Sequence, residues 1–256
     1  MKLTYSAIVS GDTKLYPGRS ATVVHVTGGP IQCPYLSVAQ SQDSTLSDDV
    51  SFFTDLVVKQ AEEDSDITSV VFVGVEPLWQ GNAILDLSRR LRQLGFFVKV
   101  ETSGFYSSDL HDLVDVVNYV SLDVKHLVQR EKLHKLIGSK VNFEVFQSNL
   151  LKSLAFMEHG KAFREIKTVV IPGVNDSPEV IEGIAKLAAN SCDQYALCQF
   201  TPWPLPLVDP AFEKIAPPTS LHLLELAQHA RKHVGRVIVR CQDSEEQEAL
   251  PVKKIS

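Results

Sequence analysis

The stretch Ser69-Val70-Val71-Phe72-Val73-Gly74-Val75-Glu76-Pro77 decides the fold class. Its apolar run does not alternate with polar residues, which is typical of a β-strand that is covered on both faces. The run stops at a glycine and a Glu-Pro pair, so turn-forming and polar residues come directly after the strand. Strands of this kind belong to parallel sheets with helices packed on them, and functional groups in such sheets gather at the carboxyl ends of the strands.

Similar runs, rich in Val, Ile and Phe, recur along the chain between stretches with helical periodicity. The predicted strands are residues 21–26, 69–75, 97–102, 119–124, 166–171, 195–200 and 237–240. Six helices are predicted. The first begins after a cap at Ser47, and the second runs from Asn82 to a stop at Gly95. The others cover 107–116, 142–159, 177–189 and 219–234. This alternation predicts an α/β protein whose parallel sheet forms an open or partial barrel.

Length and composition are those of a globular domain. The chain has 256 residues, of which 44% are hydrophobic and 22% charged, and at this length one domain buries most of its surface. We find no internal repeat in the sequence. We therefore expect one barrel domain over residues 1–244, followed by a flexible C-terminal tail over residues 245–256.

Charge and cysteine content argue against several classes of protein. A net charge of −6 disfavours broad binding to nucleic acid or to anionic membranes. The sequence shows no secretory signal and no run near the roughly 18 apolar residues that span a bilayer. Four cysteines are too few for a disulfide scaffold. We predict a reduced, cytoplasmic protein that binds neither nucleic acid nor membrane.

Polar and Gly/Pro-rich segments follow five consecutive predicted strands. They are 27–37, Gly74-Val75-Glu76-Pro77, Glu101-Thr102-Ser103-Gly104, Asp123-Val124-Lys125 and 171–176. Each alone is explained as a turn, a helix cap or, for Asp123 and Lys125, an ion pair on one side of an extended strand. Their regular order along the chain points instead to a shared site at one end of the sheet.

In that order the segments resemble the radical S-adenosylmethionine (SAM) superfamily, specifically the short activating proteins of anaerobic ribonucleotide reductases. The resemblance begins at Leu15-Tyr16-Pro17-Gly18-Arg19 and includes Gly74-x-Glu76-Pro77, Leu122-Asp123-Val124-Lys125 and Ile171-Pro172-Gly173. It covers nearly the whole chain. It implies a partial (β/α)6 TIM-like barrel, SAM bound across the carboxyl ends of the strands, and a role in anaerobic metabolism.

The resemblance also implies a Cys-x3-Cys-x2-Cys loop that holds a [4Fe–4S] cluster, and here this motif is degenerate. Cys33-Pro34-Tyr35 sets the register, so the three positions are Gly29, Cys33 and Leu36. Clusters are held by thiolates, and neither glycine nor leucine has a donor atom. We therefore predict that a standard [4Fe–4S] cluster and SAM cleavage are absent, with Cys33 as the only candidate metal ligand in the loop.

The remaining part of the implied SAM site is eroded as well. Val75 replaces the second glycine of the Gly-Gly-Glu-Pro motif and restricts the backbone. Lys167 aligns with an arginine of close relatives and would lose its bidentate contact with a carboxylate. The residues of a residual SAM-like cleft are Gly74, Glu76, Thr102, Ser103, Asp123 and Lys125.

Three functional hypotheses follow. The main one is a non-catalytic homologue without cofactors, kept as a binding, assembly or regulatory subunit beside a protein partner or a paralogous subunit. The second is a cluster-free enzyme or a SAM- or nucleotide-binding protein, in which Glu76 and Asp123 act as acid–base groups together with His25 or His126. The third is an unusual metal or iron–sulfur site.

In the third hypothesis, the site is completed by Cys198 and Cys241 or by a partner. The sequence also contains a proline-rich stretch, Thr201-Pro202-Trp203-Pro204-Leu205-Pro206. Its Trp203 and Leu205 are candidates for covering the cleft or for docking a partner.

Overall fold

The fold was obtained as a computed structural model. It describes residues 1–37, 46–127, 129–138, 140–242 and 246–249. A ten-stranded sheet dominates it, with the order β10-β9-β8-β7-β6-β5-β4-β2-β1-β3. The strands are β1 (Lys2–Asp12), β2 (Ser20–Val26), β3 (Leu46–Asp49), β4 (Ile67–Gly74), β5 (Phe97–Thr102), β6 (Tyr119–Asp123), β7 (Phe163–Val170), β8 (Gln194–Gln199), β9 (Val237–Arg240) and β10 (Gln247–Glu248).

Strand β2 and strands β4 to β9 form a continuous parallel part of the sheet. Antiparallel strands lie at both edges: β1 pairs with β2 and β3, and β10 pairs with β9. The two edges do not pair with each other, so the sheet is a partial barrel, as predicted.

Seven α-helices of the described chain connect the strands. They are α1 (Val50–Glu63), α2 (Gly81–Gln93), α3 (Ser107–Leu113), α4 (Arg130–Ile137), α5 (Phe143–His159), α6 (Pro178–Ala188) and α7 (Ser220–Ala230). Three predicted helices start at the residue that caps them, because the side chains of Asn142, Ser177 and Thr219 accept a backbone N–H in the first turn. The predicted cap at Ser47 is wrong. Ser47 belongs to β3, and α1 begins after Asp49.

The two faces of the sheet pack against different partners. In β4, Val70 and Phe72 share a core cluster with the α2 residues Leu87 and Leu91. The alternate side chains of that strand, including Val71, face the concave side in a smaller apolar cluster. Alternation along each strand therefore separates a helix-facing core from a barrel lumen.

All seven predicted parallel strands are present, whereas β1, β3 and β10 were not predicted. Strand β1 is buried only at its beginning, where Leu3 and Tyr5 are covered, and most of its later residues are exposed. Strand β10 comprises Gln247 and Glu248 inside the predicted tail, while residues 243–245 and 250–256 lie outside the described part. Within that part, no helix is long and apolar enough to cross a membrane.

Candidate functional site

A cavity of about 240 Å³ opens at the carboxyl ends of the central strands. Four consecutive parallel strands and β2 contribute side chains to it, and the loop after β2 closes one side. The lining residues are Leu15, His25, Cys33, Tyr35, Leu36, Val73, Gly74, Val75, Glu101, Asp123, Lys125, Lys167 and Val169. Inward positions of neighbouring strands thus converge on one space, which is where ligands bind in α/β barrels.

One side of the cavity is built around Asp123 and Lys125, the pair predicted from the β6 motif. The ammonium of Lys125 donates to Asp123 Oδ2 and, at 2.7 Å, to the phenol oxygen of Tyr35. The thiol of Cys33 lies against both Tyr35 and Lys125. Burial opposes the charge on Lys125, but the Asp123 carboxylate beside it raises the lysine pKa well above its usual value.

The second oxygen of Asp123 is the unusual atom of the site. Asp123 Oδ1 is buried and has no hydrogen-bond partner among the described residues. An unpartnered buried carboxylate oxygen costs free energy of the order of 1–3 kcal/mol or more. Because Asp123 lines the cavity, a ligand that carries an N–H or O–H donor would remove this cost.

Beside Asp123, whose register partner is Lys167, the cavity contains a charge cluster whose pairing was not predicted from the sequence. Glu101 accepts from Lys167 at 2.5 Å and lies 3.2 Å from the ammonium of Lys99, which also donates to the Leu15 carbonyl at 2.7 Å. Burial alone would raise the pKa of Glu101, but the two ammonium groups lower it to about 2. Lys99 is almost fully buried, so it supports the cavity from below and Lys167 faces into it.

A different arrangement holds Glu76, Thr102 and Ser103, which we call the Glu76 cluster. Glu76 Oε1 accepts from Thr102 Oγ1 at 2.7 Å and from the backbone N–H of Leu78 at 3.1 Å. Its Oε2 accepts from the backbone N–H of Ser103 at 3.0 Å and from the Ser103 hydroxyl. Burial nevertheless raises the pKa of this carboxyl group. Both oxygens are occupied inside the protein, so this cluster ties β4 to β5 and presents no free acceptor.

Gly74 ends β4 and pairs with Val26, the last residue of β2. Its φ is +147°, and a Cβ placed there would lie 2.1 Å from the carbonyl oxygen of Val26. No residue with a side chain fits without moving that backbone. The glycine of the motif is therefore required by strand packing, and it also lines the cavity.

The loop after β2, residues 27–37, is fixed from two directions, and we call it the mouth loop. On one side, Trp79 covers it, since a Cβ at Gly28 would lie 2.8 Å from the Trp79 ring. On the other side, backbone bonds of 2.9 Å join Val208 to Leu36 and Asp209 to Pro34.

Residues 201–209, which we call the surface segment, thus pack along the mouth loop. Ser37 forms a β-bridge with Leu207. Trp203, Leu205 and Val208 of this segment are exposed. Of the two roles predicted for the proline-rich stretch, exposure of these apolar side chains fits docking better than covering.

The structure divides the predicted cleft residues into two groups. Gly74, Asp123 and Lys125 line the cavity, whereas Glu76, Thr102 and Ser103 form the buried Glu76 cluster. Glu101 and Lys167 carry a detectable signal in the sequence, because each is a charged residue within a predicted strand of a parallel sheet, where a charge is costly unless it is paired. Their pairing had no such signal, since it depends on sheet register.

The two candidate histidines differ in position. His25 lines the cavity, and burial lowers its pKa. His126 does not line it. It is buried, its Nδ1 lies 3.0 Å from the carbonyl oxygen of Leu127, and burial lowers its pKa. Of the acid–base set proposed from sequence, Asp123 and His25 share the cavity, and Glu76 and His126 lie outside its lining.

Comparison with known proteins identifies relatives over most of the chain. A protein assigned as a glycyl-radical enzyme activating enzyme in Methanocaldococcus jannaschii is 29% identical over 94% of this chain and 97% of its own length. The solved structure of a radical SAM methyltransferase from Sphaerobacter thermophilus matches with a TM-score of 0.69 at 18% identity, over 90% of this chain and 68% of that one. No family model matches the chain.

A further solved structure of similar fold contains cofactors. The radical SAM methyltransferase TsrM from Kitasatospora setae, solved with cobalamin and a [4Fe–4S] cluster bound, matches with a TM-score of 0.51 at 14% identity, over 70% of this chain and 36% of that one. The chain is therefore similar in sequence to an activating enzyme, and its partial barrel is the fold of the radical SAM methyltransferases that it matches.

Two predictions from the sequence are corrected by these relatives. The non-catalytic role is wrong, because the relative that spans nearly the whole chain is an activating enzyme and the fold neighbours are enzymes. The prediction of a protein without cofactors, in which a [4Fe–4S] cluster is unlikely, is contradicted as well, because a neighbour of the same fold binds such a cluster. The narrower likeness to ribonucleotide reductase activators is not supported by the names of these relatives.

Whether a cluster fits this chain depends on the donor atoms that the mouth loop supplies. The mouth loop supplies one thiolate, Cys33, which is buried and whose pKa burial raises. Gly29 lies against Trp79, and Leu36 has no donor atom. Within the part of the chain that the structure describes, no three His, Cys, Asp or Glu residues are placed to hold a metal ion.

These residues do not fit a cluster held by three cysteines of one loop, and no chemical step is assigned to one. The hypothesis of a site completed by Cys198 and Cys241 is wrong for the same reason, since those cysteines form no metal-binding group with Cys33 among the described residues.

Proposed function

We propose that this chain binds SAM in the barrel cavity and acts as an activating-type enzyme on a protein partner. The observation that carries the proposal is Asp123 Oδ1, an unpartnered buried oxygen on the wall of a cavity at the carboxyl ends of the strands. The relative that spans nearly the whole chain supports the activating role. The class of partner that we propose is a glycyl-radical enzyme.

The lining suits the amino-acid end of SAM, which carries an ammonium and a carboxylate. Asp123 and Lys167 are paired in the register of β6 and β7, so their side chains leave neighbouring strands on the same side. In the proposed complex, Asp123 Oδ1 accepts from the ligand ammonium. Lys167, whose only hydrogen-bond partner among the described residues is Glu101, donates to the ligand carboxylate.

Apolar residues of the same cavity suit the less polar part of the ligand. Val73, Val75 and Val169 line the wall beside the charged groups. Contact of apolar ligand atoms with such residues removes both surfaces from water. The combination of one charged end and one apolar wall favours a ligand with both characters, which SAM has.

Exposed apolar side chains beside the cavity support a protein partner. Trp203 and Leu205 are about half exposed or more on the surface segment, which packs on the mouth loop. Tryptophan is enriched where proteins make their strongest contacts with one another. A partner that docks on the surface segment would lie next to the cavity.

Calorimetric titration with SAM tests the ligand. We expect saturable binding by the wild-type chain and binding weaker by about 10- to 100-fold in Asp123→Asn, the range for losing a hydrogen bond to a charged group. Asp48→Asn is the matched control, since Asp48 accepts from the Tyr5 phenol and neither residue lines the cavity. The absence of SAM binding by folded wild-type protein would refute the proposed function.

Product analysis tests the activity. The chain is purified without oxygen, its iron and sulfide are measured, and SAM is added with a reductant and a glycyl-radical enzyme from the same organism. Reductive cleavage of SAM needs an electron carrier, and the mouth loop supplies only the Cys33 sulfur, so the iron and sulfide content shows whether the purified protein carries one. In protein that does, SAM should be consumed and the partner should gain a radical detectable by electron paramagnetic resonance. Comparing anaerobic ribonucleotide reductase with other glycyl-radical enzymes identifies the partner. Binding of SAM without consumption in the presence of any such partner would contradict the activating role.

A further inference from the structure

Tyr35 lines the cavity and belongs to the mouth loop, on which the surface segment packs. Its phenol oxygen is 2.7 Å from the ammonium of Lys125, and its ring centroid is 6.2 Å from that of Phe212. Its side chain is nearly fully buried. A buried phenol keeps a hydrogen-bond partner because leaving it unpaired costs free energy, so Lys125 and Tyr35 hold each other in place.

Backbone hydrogen bonds link the mouth loop around Tyr35 to the surface segment. The neighbours of Tyr35 on both sides, Pro34 and Leu36, accept the backbone N–H groups of Asp209 and Val208 at 2.9 Å. A displacement of the loop therefore alters two hydrogen bonds of the surface segment. The chain of contacts runs from Asp123 through Lys125 and Tyr35 to the residues that follow Trp203.

A ligand in the cavity competes for the same ammonium. Lys125 has three N–H donors; Asp123 and Tyr35 accept from it, and the thiol of Cys33 lies against the same ammonium. An anionic ligand group that approaches Lys125 competes with the neutral thiol and the neutral phenol, since ammonium groups bind charged acceptors more strongly than neutral ones. Through this competition the hydrogen bond between Lys125 and the Tyr35 phenol is weakened or lost.

We infer that Tyr35 is a positioning residue that fixes the Lys125 ammonium and couples ligand binding in the cavity to the conformation of the surface segment. This inference rests on the proposed function and adds regulation to it: the face that a partner would meet differs between the ligand-free and ligand-bound protein. By reciprocity, a partner that binds one of these two forms changes the affinity for the ligand.

Tryptophan fluorescence tests the coupling, because the chain has two tryptophans. In Trp79→Phe the emission comes from Trp203 alone. We expect SAM to change this emission saturably, with the dissociation constant that calorimetry gives for the same variant. Adding Tyr35→Phe, which keeps the ring and removes the phenol oxygen, should weaken SAM binding by about ten-fold and abolish the emission change at saturation.

Tyr195→Phe in the same background is the matched control, since the Tyr195 phenol is also buried and lies 2.9 Å from Thr168 Oγ1. It should lose stability as Tyr35→Phe does, and it should keep the emission change. The inference is overturned if calorimetry shows binding while Trp203 emission stays constant, or if Tyr35→Phe responds like Tyr195→Phe. Loss of SAM binding in every variant, wild type included, would instead refute the proposed function.

Discussion

The Glu76 cluster and the Asp123 side of the cavity both end neighbouring strands of one sheet, yet their hydrogen bonding differs. Both oxygens of Glu76 are occupied by Thr102, Ser103 and a backbone amide. One oxygen of Asp123 is held by Lys125, and the other has no partner among the described residues. The strand ends of this sheet therefore carry two kinds of carboxylate. One kind fixes the strands, and the other is available to a ligand.

The largest expected effect concerns the position where the two regions meet. Gly74→Ala should lower the free energy of unfolding by about 4 kcal/mol, the sum of typical costs for a strained backbone and for overpacking. Its cause is the 2.1 Å approach of the new Cβ to the Val26 carbonyl. Urea unfolding measures it.

Gly95→Ala is the control for this substitution, because Gly95 also has a positive φ but no neighbour within 4 Å of a Cβ. It should cost about 1–2 kcal/mol. Equal losses in the two variants would show that close strand approach contributes nothing at Gly74.

Glu76→Gln should affect stability more than ligand binding. The amide NH₂ would face groups that already donate, and the unsatisfied buried donors should cost about 3 kcal/mol of unfolding free energy. Chemical denaturation measures the loss, and SAM calorimetry on the folded fraction should give a dissociation constant within about three-fold of wild type. A selective loss of SAM affinity at unchanged stability would reverse the division between the two regions.

Acid should weaken the cavity wall through Glu101. Its pKa in the folded protein is lowered to about 2 from an ordinary value of 4.5, so the unfolded chain binds its proton first as the pH falls. Stability from this group is present above pH 4.5 and is lost as the pH falls from there towards 2, by up to about 1.4 kcal/mol per pH unit.

The change in unfolding free energy between pH 4.5 and 3 should be steeper in wild type than in Glu101→Gln. Glu63→Gln, which removes an exposed carboxylate of α1 that lies 3.8 Å from Lys59, should change that slope less. A slope that Glu101→Gln leaves intact would show that the ion pairs with Lys99 and Lys167 do not stabilise the fold.

The smallest effect is expected for Thr102→Val. This variant keeps the shape of the side chain and removes the 2.7 Å bond to Glu76, which should cost about 1–2 kcal/mol of unfolding free energy. SAM affinity should stay the same, because Thr102 does not line the cavity. A loss of affinity at full stability would assign Thr102 to the ligand and contradict the comparison.

The parallel strands could be predicted because each contains buried apolar residues on both faces of the sheet, although β5 and β7 also carry charged residues. Strand β1 was missed, since burial of Leu3 and Tyr5 gives way to exposed residues and its pairing depends on a strand further along the chain. Strand β10 is held by backbone pairing, for which side-chain type carries little information.

The site was predictable only in part for a related reason. The proximity of Asp123 and Lys125 follows from their spacing within one strand. The pair Glu101 and Lys167 is separated by 66 positions, and its proximity follows from the order β5-β6-β7. The likeness of motifs also did not show which carboxylate is occupied, because Glu76 is held by hydroxyl and amide groups that only the folded chain brings to it.

The bridge between Ser37 and Leu207 has a consequence for how the protein is made. These residues are separated by most of the chain, so the mouth loop leaves the ribosome long before the segment that holds it is synthesised. The barrel mouth of the nascent chain therefore stays incomplete until the last quarter of the chain has emerged. Contacts between such distant residues form late in folding. A polypeptide released before the surface segment has been translated would lack the backbone hydrogen bonds that hold Pro34 and Leu36 of the mouth loop, and chaperones and proteases recognise such incompletely packed chains.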